Sequence, residues 1–507
     1  QNNGGSNELV QHVLASTSGQ YSWYIGGQSA SNLKMRLTSG GDVGIGTATP
    51  DKKLRVEGDA RVTGTLTIGE ASTVIDGSVE YPTIRPTLDL NFAATKVLDD
   101  RITFTRDSVG TYVGEDGLVK YASNNVPRFD HNPTTGESLG LLIEEGRTNL
   151  LTYSDLVSGE GLGTGWLIGG SRASRGSSVT APDGTLSAWN SVYNGTSGDS
   201  SIYKNGGEIT TSNSTVYTLS IFAKVPSTNT YITGVRIRTF NDNHSAQFNL
   251  STGTIVGTSE GTTTNRIEAY PNGWYRCSIT FTSGTDGNQG VQYYMMNTSN
   301  NTLLNDSNAN GEALYLWGAQ LEQGSFATSY IPTSGSSVTR AIDIAKITGT
   351  NFSDFYNQTE GTFFVEADTI NPVYTTDLPN FDGNNNNYTI VGTGDSPNRF
   401  QLRFDDAETY QVLGFGPNST NAITTNIPNV SASLRAKIAG AVKQNDVRGA
   451  AQGDIILTDT SFDMISPTSL FIGSLNGSSE VLPGHVRKVS YYRQALPNAQ
   501  LRGLTQQ

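Results

Sequence analysis

A single cysteine, Cys277, stands in 507 residues, so no disulfide can close within the chain. A chain this long has room for apolar cores and does not depend on one. Charge is scarce as well: Asp, Glu, Lys and Arg make up 16 %, against about 25 % in ordinary globular proteins. Asn, Ser, Thr and Gly take up the difference, and these residues disfavour helix interiors while favouring turns and exposed strand faces. An all-helical protein is excluded. Basic residues number 33 against 46 acidic ones, a net charge of −13, which offers no cationic surface to displace counterions from a phosphate backbone. Nucleic acid is therefore excluded as a partner. Apolar runs such as Leu141-Leu142-Ile143 fall far short of the roughly 18 residues a bilayer span needs, so no membrane insertion is expected. The histidines His12, His131, His244 and His485 are far apart, and none has a second His or Cys at metal-ligand spacing. Residue 1 is Gln rather than Met, so the chain is expected to begin inside a longer or processed product and to attach through its N-terminal side.

What is present is alternation. From Leu54 to Ile68 every even position is apolar or Gly and every odd one is Arg, Glu, Asp or Thr, the period of a strand with one buried face. Gly58 and Gly64 break this stretch into short strands that turn corners. Residues 1–80 hold too few other apolar side chains to cover the face, so self-association around an axis is expected to bury it. The preceding Gly41-Asp-Val-Gly-Ile-Gly-Thr-Ala-Thr-Pro50 has a G-x-G spacing but is followed by Pro50 and a β segment. A phosphate loop must open a helix, so these glycines are read as corners.

Residues 81–150 alternate short extended pieces with prolines and turns and are read as a connector. From 151 to 345 short strands and turn signals succeed one another. In Tyr217-Thr-Leu-Ser-Ile-Phe-Ala-Lys-Val225 the odd positions are apolar, which predicts a half-buried antiparallel strand. Phe248 to Val256, Gly273 to Phe281 and Leu314 to Leu321 supply further strands of a β-sandwich. Residues 346–507 repeat the style, with Phe400, Leu402 and Phe404 on one face. Only Leu496 to Leu504 reads as a helix, with Pro497 in its first turn and Leu501 and Leu504 on one face, placed to cap the second sandwich. The fold class is all-β: a β-rich oligomerising stem followed by two β-sandwich domains, whose jelly-roll, lectin-like form is what the resemblances below imply.

Several segments resemble known families. Val43-Gly-Ile-Gly-Thr-Ala-Thr-Pro-Asp-Lys-Lys-Leu-Arg-Val-Glu-Gly with Val62-Thr-Gly-Thr-Leu-Thr-Ile resembles the trimeric β-rich stems of bacteriophage tail fibres and related adhesins. Asp89-Leu-Asn-Phe-Ala, Arg101-Ile-Thr-Phe-Thr-Arg and Gly140-Leu-Leu-Ile-Glu-Glu-Gly-Arg-Thr-Asn-Leu-Leu are similar to a connector that precedes carbohydrate-binding modules in phage structural proteins. Asn272-Gly-Trp-Tyr-Arg-Cys, Leu316-Trp-Gly-Ala-Gln-Leu-Glu-Gln-Gly and Ser329-Tyr-Ile-Pro-Thr look like the jelly-roll module itself. The stretch from Gly484 to Thr505 resembles the closing strand and helix of concanavalin-like, laminin-G-like lectin domains. These resemblances imply a homotrimeric virion structural protein, a tail fibre joined to other tail proteins through its N-terminal region, that binds host surface polysaccharide or lipopolysaccharide and is not an enzyme. The alternatives are a tailspike depolymerase that cleaves that polysaccharide, and a head fibre or connector that binds only other virion proteins.

Sugars stack their apolar faces on aromatic rings while amides and carboxylates take the hydroxyls. Trp274 and Trp317 lie in strand sequence and are assigned to cores, whereas Trp166, Trp189 and Tyr203 sit nearer loop sequence and are the candidate glycan contacts. Phe381-Asp-Gly-Asn-Asn-Asn-Asn-Tyr388 is an oxygen-rich loop where concanavalin-like relatives hold calcium. Asp382 is its one certain charge, against the six to eight oxygens calcium takes, so a solvated turn is the favoured reading. Gly257-Thr-Ser-Glu-Gly261 matches the nucleophile-elbow spacing, but no helix follows and Ser259 is not assigned a catalytic role. Adjacent carboxylates such as Glu144 with Glu145 and Asp405 with Asp406 point to opposite strand faces and are read as surface or structural ion pairs.

Overall fold

The computed structural model describes residues 11–15, 19–25, 32–57, 80–157, 165–169, 173–195, 200–205, 209–261, 263–284, 287–299, 302–304, 306–369, 387–395, 398–405, 409–415, 435–460 and 462–506. Two compact units result, Gln1–Val74 and Ile75–Gln507. The first is a five-stranded sheet of Gln11–Ala15, Tyr21–Ile25, Leu33–Leu37, Val43–Ile45 and Leu54–Val56 in sequence order. Its pairs are antiparallel except the last, which is parallel. The corner reading holds for Gly41 and Gly46, with φ +78° and +76°, but Gly44 lies within the strand Val43–Ile45, where a Cβ would come 2.6 Å from the Thr47 carbonyl oxygen. Of the alternating stretch, Leu54–Val56 is a strand with Leu54 60 % exposed; residues 58–68 lie outside the described residues.

The second unit holds two sandwiches built almost entirely of antiparallel strands. In the first, one sheet runs Leu167–Gly169, Ser201–Lys204, Val291–Asn297, Gly234–Thr239, Ser245–Asn249 and Thr254–Glu260. The facing sheet runs Ala173–Arg175, Trp189–Tyr193, Ala313–Gln323, Val216–Lys224, Trp274–Thr282 and Thr264–Tyr270. Leu219, Ile221, Val235, Ile237, Phe248, Ile279 and Leu316 fill the space between them, each contributing about 1.5–3 kcal/mol of burial. Val216–Lys224 was expected to be half-buried, but Thr218, Ser220 and Phe222 on its other face are also buried. The cause is a second apolar layer, Val119, Phe222, Trp274, Trp317 and Tyr330, outside that sheet.

In the second sandwich one sheet orders Phe129–His131, Ser138–Ile143, Gly484–Tyr492, Glu360–Thr369, Arg435–Lys443, Asp446–Ala451 and Asp454–Asp459. The other orders Thr409–Phe415, Asn398–Asp405, Tyr388–Asp395, Ser469–Ile472, Ile344–Thr348 and Thr103–Thr105. Phe400, Leu402 and Phe404 do share a buried face in its core. Residues 81–150 are more than a connector. Leu88–Asn91 and Ser138–Ile143 both pair with Gly484–Tyr492, and Thr103–Thr105 pairs with Ile344–Thr348. Their Leu88, Leu90, Phe104, Leu141 and Ile143 complete the second core, because a central strand needs partners on both edges and a covered face. The terminal helix, Asn498–Thr505, follows Pro497 and seats Leu501 against Ala439, Ala450 and Tyr492 of this sandwich, as its pattern predicts.

Candidate functional site

A cleft of about 430 Å³ opens where the two sandwiches of the second unit meet. The hairpin of Gly110–Val113 and Val119–Ala122 brings Tyr112 to it. The first sandwich brings Glu268 and Tyr270 on one strand and Arg276 on the next; the second brings Asp130, Asp368, His485 and Arg487. These strands present charged residues at the cleft because it lies outside both apolar cores, and most of them keep an ionic partner there.

His485 is the centre of the second sandwich's contribution. Its Nδ1 lies 2.5 Å from Asp368 Oδ1 and its Nε2 2.9 Å from Asp130 Oδ2. Burial favours the neutral ring, but the two carboxylates outweigh it and push the imidazole up to about 10. His485 is therefore a cation at neutral pH that joins Phe129–His131 to Glu360–Thr369. Beside it, Arg487 Nη2 donates to Glu137 at 2.8 Å, and Arg435 Nε donates to Glu366 at 2.6 Å. On the opposite wall Arg266 pairs with Glu268 at 2.5 Å. The cleft thus offers alternating charges and two half-buried rings, Tyr112 and Tyr270.

Below it lies a fully buried ion cluster. Arg106 Nη1 donates to Asp343 at 3.1 Å, Arg128 Nη2 to Asp343 at 2.5 Å, and Arg128 Nη1 lies 2.7 Å from Glu144. Arg340 lies 3.5 Å from Glu144. Ser329 of the first sandwich donates both its backbone N–H and its hydroxyl to Glu144 at 2.7 Å. Burial alone would raise the Glu144 carboxyl; Arg340, Arg128 and Ser329 overcome it and hold it well below the usual range. The Glu144–Glu145 pair is structural, as expected, with the two side chains apart: Glu144 is buried and Glu145 accepts from Arg147 Nε at 2.9 Å.

The residues proposed from sequence as glycan contacts are not in this cleft. Trp166 is 2 % exposed, stacks on Tyr293 at 5.7 Å and donates Nε1–H to the Tyr153 carbonyl at 2.8 Å. Trp189 is 1 % exposed, with the Arg175 guanidinium 4.8 Å from its ring centroid. Neither presents a ring face to a sugar, because the small and polar residues that mark the turns around them do not decide which way the ring faces. Tyr203 is half-buried on Ser201–Lys204, edge-on to Phe240 at 6.2 Å. Trp274 and Trp317 are buried. Asp382 lies outside the described residues. Gly257 to Glu260 lie within the strand Thr254–Glu260, with no strand-to-helix turn. The cleft residues Asp130, Asp368 and His485 were missed because hydrogen bonds spanning 355 and 117 residues leave no local spacing.

No family model and no curated protein sequence matches the chain. Solved structures do. The carbohydrate-binding module CBM40 of a Ruminococcus gnavus IT-sialidase is 16 % identical, covering 29 % of this chain and 84 % of that one at a TM-score of 0.24. Domain 4 of AbnA, a GH43 extracellular arabinanase from Geobacillus stearothermophilus in complex with arabinotriose, is 13 % identical over 36 % of this chain and 82 % of its own, at 0.24. Trypanosoma rangeli sialidase is 10 % identical over 63 % of this chain and 60 % of its own, at 0.23. At these scores the likeness identifies neither a ligand nor a reaction. It does correct one expectation: with sialidases among the similar chains, the assignment of the protein as a non-enzyme no longer stands.

Proposed function

We propose that the chain is a bacteriophage tail fibre protein that recognises a host surface glycan through the cleft between its two sandwiches. The observation that carries this reading is the cleft itself, about 430 Å³ and lined by Tyr112, Tyr270 and charged side chains of both signs. Rings of this kind pack on sugar faces while charged and amide groups take hydroxyls. The fibre assignment rests on the resemblance of residues 43–68 to fibre stems, which also supports a homotrimer attached to other tail proteins through its N-terminal region. Cleavage of the bound glycan is the second reading, favoured by Asp130, Glu137, Glu268 and Asp368 on the same cleft, since glycosidic hydrolysis needs two carboxyls flanking the bond.

A glycan array with the full chain tests recognition; binding to no glycan sinks the reading. Tyr270→Ala is expected to weaken binding about tenfold, the scale of one lost aromatic contact. Incubation with a bound polysaccharide separates the two readings, since new reducing ends appear only with cleavage. Antibody labelling of intact particles places the chain on the tail, or overturns the tail assignment by placing it on the head.

A further inference from the structure

Arg276 is a buried cation with no anion among the described residues. It is 6 % exposed on the strand Trp274–Thr282, opposite Phe222 on one side and Glu268 on the other. Its guanidinium lies 5.4 Å from the Phe222 ring centroid. Among the described residues its one hydrogen bond runs from Nη2 to the Ser220 hydroxyl at 3.2 Å, its Nε is buried without a partner, and no carboxylate reaches it. Glu268, the near one, is already paired with Arg266 at 2.5 Å. A guanidinium taken out of water without a counter-ion is costly, and an anion that enters the site recovers that cost. Arg276 lines the cleft.

A second unpartnered atom lines the same cleft. His131 is 5 % exposed, and its Nδ1 lies 3.1 Å from the Val113 carbonyl oxygen, which can only accept. Nδ1 therefore carries a proton, and in the neutral ring Nε2 is an acceptor that no described residue meets. The cleft thus has a planar cationic donor in want of an anion and an acceptor in want of a hydroxyl. A ligand that answers both carries a carboxylate beside hydroxyl groups.

Resting on the reading of this cleft as the glycan site, we infer that its ligand is an acidic saccharide, with the sugar carboxylate on Arg276 and a hydroxyl donating to His131 Nε2. A guanidinium fork matches a carboxylate in plane and number of bonds. The chain's net charge of −13 cannot supply this preference, since it repels polyanions at long range. The selection is local to the cleft.

The test prints tri-galacturonate, di-mannuronate and α2,3-sialyllactose beside their carboxyl methyl esters and neutral trisaccharides, and probes them with the full chain. At least one acid is expected to bind, with its ester weaker by about tenfold or more, the scale of one charge-assisted hydrogen bond. Arg276→Met, which keeps a stem over Phe222, is expected to lose the same factor for the acid. Equal binding of acid and ester overturns the inference, and the ester arm decides it on the unaltered protein even where the variant does not fold. Binding to neutral sugars alone overturns the inference and leaves glycan recognition standing. Binding to no sugar, acidic or neutral, removes both.

Discussion

Asp343→Asn is the sharpest probe of what joins the two sandwiches. Asp343 is fully buried and accepts from Arg106 at 3.1 Å, from Arg128 at 2.5 Å and from the Glu144 backbone N–H at 2.9 Å. Asparagine keeps the volume and one carbonyl oxygen but removes the charge. Glu144 then remains the carboxylate for Arg128 and Arg340, and Arg106 is left without its carboxylate partner. Removing one partner of a buried ion pair costs about 3–5 kcal/mol. The three pairs lost here, to Arg106, Arg128 and Arg340, belong to one network and do not add, so the same range applies to the variant. Against a typical total of about 5–15 kcal/mol, that is a large fraction, and for a unit as long as Ile75–Gln507 it lowers the melting temperature by roughly 3–6 °C. Urea unfolding and calorimetry of the full chain measure it. A shift below about 1 kcal/mol, the scale of an exposed pair, would refute the claim that this cluster is a dry, mutually dependent network. The same cluster sets an acid limb. Glu144 is held below its ordinary value of 4.5, so its contribution is complete above that pH and is lost as pH falls through the lowered value.

Much of the fold was legible because strand alternation is a local property. Val216–Lys224, Trp274–Thr282 and Ala313–Gln323 coincide closely with the apolar segments that announced them. Illegible was whatever depends on a partner far along the chain. Nothing between Leu88 and Asn91 says that the strand pairs with Gly484–Tyr492, and Ser490 reaches Asp89 across 401 residues. A segment with its own turns and prolines therefore read as a connector although it completes a core. The candidate site fared worse for the same reason. Gly165 beside Trp166 is a bend, yet the ring stacks on Tyr293, more than a hundred residues away. His485 was passed over for lacking a neighbour in sequence, while in space Asp130 and Asp368 hold both of its nitrogens.

Three further outcomes are expected. His485 contributes fully below pH 6.5 and loses its contribution as pH rises through about 10; the melting temperature should fall between pH 7 and 10, and His485→Gln should flatten that slope. Cys277 is fully buried and burial pushes its thiol well above the ordinary value, so a dithiobis-nitrobenzoate assay should find it unreactive in buffer and reactive in urea; fast labelling of the native chain would contradict this. The last concerns where the chain can be cut. A boundary near Leu150, natural from the sequence, removes Leu88–Asn91, Phe129–His131 and Ser138–Ile143 from one sheet and Thr103–Thr105 from the other. It also removes Arg106, Arg128 and Glu144 and leaves Asp343 and Arg340 with only each other, 3.9 Å apart. A chain starting at Ile75 keeps every one of these and begins where the second compact unit begins. The Ile75 chain should therefore melt cooperatively and the Leu150 chain should not. Light scattering on the full chain and the Ile75 chain then tests the stem, because self-association through residues 1–80 requires the full chain to be oligomeric and the shortened one monomeric. A monomeric full chain, or an Ile75 chain that stays oligomeric, would show that the sheet of the first unit is not what brings copies together.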